Sequence, residues 1–197
     1  MYVMDAFLVF RAFCKLASKD ISAERCAIFS DKPLTSSAAD LKSVPMRSKV
    51  LCLSIIQSIL RDFMPVFTTP TVIVRFSHES ADFMQASKNS ICLALAMNAP
   101  KPMPQVFEIS CEIFSLMVNH MRGSLKAEIE VFFREIYLPI LEMKVSSVDR
   151  KSRVVVSVLG PISRDARTLV EMYLNYDCNG SLMSNIYERY DSALYRV

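Results

Sequence analysis

Apolar side chains recur at spacings of three and four along almost the whole 197-residue chain, and only three glycines interrupt them. That spacing is the period of a helix face, and a face this wide cannot be covered by a single helix. Scarce glycine adds a second constraint, because an all-β sandwich needs many turns. The chain therefore reads as amphipathic helices stacked on one another. Eight or so helices joined by short turns give an all-α, armadillo- or HEAT-like helical-repeat domain, an α-solenoid, although no repeat consensus stands out. The length suits one domain, or one and a half, with room for a real core.

Val3 to Ser18 reads as a helix with Phe7, Phe10, Phe13 and Cys14 on one face. A polar loop follows at about 19–45, long for a compact domain and read as flexible. Met46 to Phe63 is apolar around most of its circumference, so it is expected to be central, and Pro65 and Pro70 stop it. Thr71 to Asn98 reads as one broken helix or two. Pro100, Pro102 and Pro104 make a stiff bend, with Pro104 at the first position of a helix running to Met121. Gly123 ends that helix, and Leu125 to Met143 follows with an expected kink at Pro139. Lys126, Glu130 and Arg134, spaced by four, read as a solvated face of alternating sign rather than as acid–base machinery. Val154-Val155-Val156 prefers strand locally, but a lone strand among helices has no partner, so helix is expected there. Gly160-Pro161 punctuates, Ser163 is placed to cap, and Asp165 to Leu174 is helical. Leu182 to Tyr195 is the last helix, and it runs to Arg196-Val197 without a stop, as though cut from a longer chain. The expected fold is all-α with no sheet.

Chemistry is hard to assemble from these residues. The net charge of +3 leaves no footprint for nucleic acid. The six cysteines show no metal-like spacing and read as structural thiols of a reducing compartment. His78 and His120 lie far apart, without a partner motif. Three scattered glycines cannot build a phosphate-binding loop. No signal peptide or apolar run of membrane-spanning length is visible, so a cytoplasmic chain with at most peripheral membrane contact is expected. No catalytic, cofactor-binding or metal-binding residue is expected, and no cofactor.

One stretch stands apart: Tyr173-Leu174-Asn175-Tyr176-Asp177-Cys178-Asn179. Asn and Asp leave helices readily because their short side chains bond nearby backbone groups. On its own pattern the stretch is a well-capped turn between two helices. Tyr173, Asn175, Tyr176, Asp177, Cys178 and Asn179 are the candidate structural and interaction residues. Asn175 and Asp177 are expected to accept bonds from backbone N–H groups of the turn or the next helix, with Tyr173 and Tyr176 packed beside them.

The same stretch resembles the "homology upstream" box of the large Golgi-type Arf guanine-nucleotide exchange factors, the brefeldin A-inhibited exchange proteins, which carry Tyr-Val-Asn-Tyr-Asp-Cys-Asp there. Asp5 to Leu16 resembles the opening of that domain and Met46 to Leu51 its second helix. Pro104 to Glu108 and Ile129 to Ile136 resemble its middle, and Asn185 to Arg189 follows the box, all in the family's order. Leu174 stands for the usual valine and Asn179 for the usual aspartate, while His78 to Gln85 has no match and suggests an insertion.

The resemblance implies that residues 1–197 form a homology-upstream helical domain within a larger exchange factor of Golgi vesicle transport. Exchange in that family is carried by a separate downstream domain, so this region is expected to be a non-catalytic regulatory scaffold. Its implied partners are the family's N-terminal dimerisation and cyclophilin-binding domain, the downstream catalytic domain, Arf-family small GTPases, and the Golgi or trans-Golgi membrane peripherally. The alternative is a free-standing armadillo-like protein-interaction adaptor, to be told apart by whether a catalytic exchange domain is encoded just downstream.

Overall fold

A computed structural model of the chain describes residues 2–19, 43–76, 79–101, 103–143, 148–178 and 185–196. Most of the expected loop at 19–45, His78, Asn179 and the start of the expected 182–195 helix lie outside the described residues.

The first helix, α1 (Tyr2–Ser18), buries Phe7, Phe10, Cys14 and Ala17, one residue per turn of its apolar stripe. α2 (Val44–Asp62) starts with a proline in its first turn, where no backbone donor is missed. The fold is all-α as expected, but after the short α3 (Met64–Thr68) the expectations of no sheet and of helix from Thr71 give way. A two-stranded antiparallel hairpin forms, β1 (Ile73–Arg75) with β2 (Ser80–Asp82), Ile73 opposite Asp82 and Arg75 opposite Ser80. Thr71 to Val74 is a run of four β-branched residues, which fit a pleated strand better than a helix. Phe76 sets its ring edge-on to Phe7 at 5.6 Å, so the hairpin covers the early turns of α1. Asp82 then caps α4 (Phe83–Asn98), its Oδ1 accepting from the Gln85 N–H at 2.7 Å.

α5 (Pro104–Met121) is the centre of the molecule. It touches α2 and α4 on one side and the later helices on the other, with ten buried residues along its length. Phe114 stacks on Tyr137 at 4.3 Å and meets Phe133 edge-on at 5.0 Å.

Beyond α5 the helices contain wide turns. α6 (Lys126–Phe132) passes through a π turn (Phe133–Tyr137) into α7 (Leu138–Glu142), with the Leu138 N–H bonded to the Phe133 carbonyl. The chain stays helical through Pro139. A proline crowds the carbonyl one turn earlier, and a ladder widened by one residue makes room for it. The arrangement repeats: α8 (Val148–Val154), a π turn (Val155–Leu159) and α9 (Gly160–Ser163), again ending two residues before a proline. Gly160-Pro161 is therefore helical and not a break. A Cβ on Gly160 would lie 3.2 Å from the Val155 carbonyl oxygen, a close approach that favours glycine. Val154 to Val156 is helical as expected. α10 (Ala166–Met172) is capped by Asp165, not Ser163, whose hydroxyl donates back to the Leu159 carbonyl at 2.7 Å. A third π turn (Tyr173–Asp177) and α11 (Ile186–Arg196) complete the described elements.

The helices pack in successive layers. α1 lies on α2 and α4; α2 and α4 lie on α5; α5 leads to α8 and α9; α11 rests on α7 and the third π turn. That progression is the helical-repeat arrangement the sequence implies. A polar clip stabilises the early layers. The buried Asn98 donates to the Ala17 and Ala94 carbonyls at 2.9 and 2.7 Å and accepts from Lys49 at 3.1 Å. Among the described residues no helix is long and apolar enough to cross a membrane.

Candidate functional site

The stretch at 173–178 lies at the far end of the stack, on the third π turn. The Cys178 N–H reaches the Tyr173 carbonyl at 3.1 Å, five residues back. Each side chain in the turn then has a separate task.

Asp177 caps a helix that is not its own. Its Oδ1 accepts from the Tyr187 N–H at 2.9 Å and its Oδ2 from the Glu188 N–H at 3.0 Å. Those amides belong to the first turn of α11 and have no partner within the helix. The residue that precedes α11, Asn185, stands in the left-handed region at φ 39° and donates its side chain to Glu188 instead. The capping acceptor therefore comes from the preceding π turn, on the far side of residues 178–185. It also sets a negative charge at the positive end of the helix dipole.

Asn175 and Tyr176 grip the start of α6. The Asn175 Oδ1 accepts from the Lys126 ammonium at 2.8 Å, and the Tyr176 hydroxyl donates to the Lys126 carbonyl at 3.2 Å. Asn175 thus bonds a side chain about fifty residues away rather than a backbone N–H of the turn. Tyr176 is buried, and the loss of water raises its phenol above the ordinary value. The box joins two helix starts, α6 through Lys126 and α11 through Asp177.

The outer side of the turn is apolar and open. Val170, Tyr173 and Leu174 are 57%, 48% and 56% exposed, at helical spacings of three and four. The Tyr173 ring meets Tyr187 edge-on at 5.5 Å. A side-chain hydrogen bond with the exposed Cys178 leads the causes that raise the Tyr173 phenol.

Residues that attract no notice in the sequence hold this junction in place. Glu171 accepts from Arg122 and from Arg167, and those bonds keep its carboxyl below the usual range. Arg189 forms a bidentate pair with Glu142, at 2.8 and 2.9 Å, tying α11 to α7. The buried Tyr190 hydroxyl meets Ser163 at 2.7 Å and the Leu159 carbonyl at 3.1 Å. Apart from Arg167–Glu171, four residues apart on α10, these bonds link positions 27 to 49 residues apart, so no local pattern announces them. Glu130 corrects the sequence reading more directly. It is 5% exposed and accepts from Arg134 at 3.3 Å, so the solvated-face reading fails at Glu130, while Lys126 and Arg134 are exposed as expected.

Hydrogen bonds and ring contacts hold this junction together. Among the described residues no three His, Cys, Asp or Glu side chains converge as metal ligands would. The terminal turn of the helical stack holds two helix starts together and leaves an apolar ridge outside. The model of the Mon2/Sec7/BIG1-like HUS domain matches residues 2–183, and the chain belongs to that family. It is 41% identical over 194 residues to the ADP-ribosylation factor guanine nucleotide-exchange factor sec71 of Schizosaccharomyces pombe, covering 98% of this chain and 10% of that protein. It is 38% identical to sec72 of the same yeast, over 95% of this chain and 10% of that protein. With brefeldin A-inhibited guanine nucleotide-exchange protein 1 of Homo sapiens the identity is 39%, over 98% of this chain and 9% of that protein. The chain thus spans about a tenth of the length of these curated relatives.

Proposed function

We propose that the chain works as a non-catalytic scaffold within a larger Arf guanine-nucleotide exchange factor, at Golgi or trans-Golgi membranes. The 173–178 box shapes the surface that receives the N-terminal dimerisation and cyclophilin-binding domain of such factors. The carrying observation is the junction: Asp177 holds α11 and Asn175 with Tyr176 holds α6, while Val170, Tyr173 and Leu174 stay open. Box polarity sets the geometry, and the apolar ridge supplies the contact. Relatives named as exchange factors, about ten times longer, support placing catalysis and the Arf contact in other parts of the protein.

The test pairs stability with binding. Asp177→Ala is expected to lower the melting temperature and to weaken a pull-down of the N-terminal domain together. Unchanged stability with lost binding would make Asp177 itself the contact and overturn the account. In a fluorescent-nucleotide release assay on purified Arf, the chain alone is expected to leave the rate unchanged. Acceleration would place exchange activity in this domain.

A further inference from the structure

The exposed apolar line on α10 starts at a cation. Arg167, Val170 and Leu174 stand three and four residues apart along α10 and the third π turn, so they share one side of the helix, with Tyr173 beside them. The line is about 10 Å long, or two helical turns. Two carboxylates lie near its start, and each is engaged on both oxygens. Asp165 accepts the Thr168 hydroxyl on one oxygen and the Arg167 N–H at 3.1 Å on the other, and the Thr168 bond leads the causes that hold its carboxyl below the usual range. Glu171 takes Arg167 on one oxygen and Arg122 on the other. The cations are not used up in this way. Arg167 gives only its Nε to Glu171, and its side chain is 82% exposed. Arg164, also exposed, makes no side-chain bond among the described residues. Three guanidinium groups against two engaged carboxylates leave one positive charge at the head of an apolar ridge.

We infer that this ridge receives an amphipathic helix of a partner polypeptide whose apolar stripe ends in an Asp or Glu side chain. The inference rests on the scaffold reading, in which the ridge is a contact surface, and adds the chemistry of what covers it. Side chains spaced by three and four form a ridge that seats in the groove of another helix, as the layers of this stack already do. The partner's apolar stripe covers Val170, Tyr173 and Leu174, and its carboxylate meets the terminal nitrogens of Arg167 and the guanidinium of Arg164. A paired carboxylate and guanidinium also fix the direction in which the partner helix lies. An anionic membrane is the weaker match, because recruitment to one takes clusters of about 4–8 basic residues, and only Arg164 and Arg167 stand exposed here.

Synthetic alanine-based helical peptides of about five turns provide the test. One carries leucines at spacings of three and four followed by glutamates, a second has lysines for the glutamates, and a third has serines for the leucines. The full chain, labelled at valine and leucine methyls, is titrated with each, with phosphatidylserine–phosphatidylcholine vesicles, and with the N-terminal domain of a longer relative. The expected result is saturable shifts of Val170 and Leu174 with the glutamate peptide, binding about fivefold weaker with the lysine peptide, the scale of an exposed ion pair, and no shift with the serine peptide. Arg164→Glu combined with Arg167→Glu inverts the order of the first two, with circular dichroism confirming the fold. Should the double variant not fold, Arg164→Glu alone narrows the gap between them. Equal binding of the glutamate and lysine peptides, binding of the serine peptide, or no shift with any peptide overturns the proposal. Stronger shifts with vesicles overturn it in favour of a membrane, and shifts that follow the chain's own concentration overturn it in favour of a second copy. If the glutamate peptide binds as expected and the N-terminal domain does not, the inference stands and the partner named under the scaffold reading is the wrong one.

Discussion

Both carboxylate oxygens of Asp177 take backbone donors of α11, and no other side chain is shown capping that helix. Replacing a capping residue with alanine costs about 0.5–2 kcal/mol. In a chain of this length each kcal/mol lowers the melting temperature by about 2–4 °C. Asp177→Ala is expected to fall in that range, measured by thermal circular dichroism. Arg11→Ala, at an exposed position of α1, is the neutral control. Glu130→Ala is expected to destabilise by about 1 kcal/mol, the usual scale for a buried point change. The buried thiols set a pH dependence. Burial pushes Cys14 and Cys111 from 9.0 up to about 12. Above pH 9 the unfolded chain releases these protons while the folded chain keeps them. Stability is therefore complete below pH 9 and falls as pH rises toward 12, by up to about 1.4 kcal/mol per pH unit for each thiol. Urea melts between pH 8 and 11 test this, and Cys14→Ala or Cys111→Ala should flatten the slope.

At the scale of elements, the helical faces were legible because apolar spacing and burial share one cause. The expected Val3 to Ser18 helix is observed at Tyr2–Ser18, and Pro104 begins α5 as its missing donor allows. The hairpin was legible only in the β-branched run Thr71 to Val74, since three-residue strands are too short to display alternation. Nor were the π turns, because the extra residue is accommodated by the backbone and leaves only a slight phase shift in the apolar pattern. Of the candidate site, the segment and the role of Asp177 as a backbone acceptor could be read locally. Its bonds to the next helix follow that expectation, whereas the contacts of Asn175 and Tyr176 with Lys126 could not be read, because Lys126 approaches only through the tertiary fold. A π turn is in effect one inserted residue. Deleting the exposed Val156 from the second π turn is thus expected to restore an ordinary α turn. It should lower the melting temperature less than deleting the equally exposed Leu51 from α2, where the ladder has no residue to spare.

For the whole molecule, far-ultraviolet circular dichroism is expected to show a helical spectrum with a strand content well below the ordinary globular fifth. The short hairpin is too small to change it. Each layer rests chiefly on its neighbours, so stability is shared along the stack and its ends open most easily. The junction at Asp177 changes that expectation at one end. Amide protons of Tyr187 and Glu188 lie in the first turn of the last helix, where exchange with solvent deuterium is ordinarily fast. Here both are held by a carboxylate from the preceding layer, so neither can exchange until that carboxylate lets go. Their exchange rates therefore time the opening of the box itself, and a ligand that clamps the box should slow both amides together without touching either.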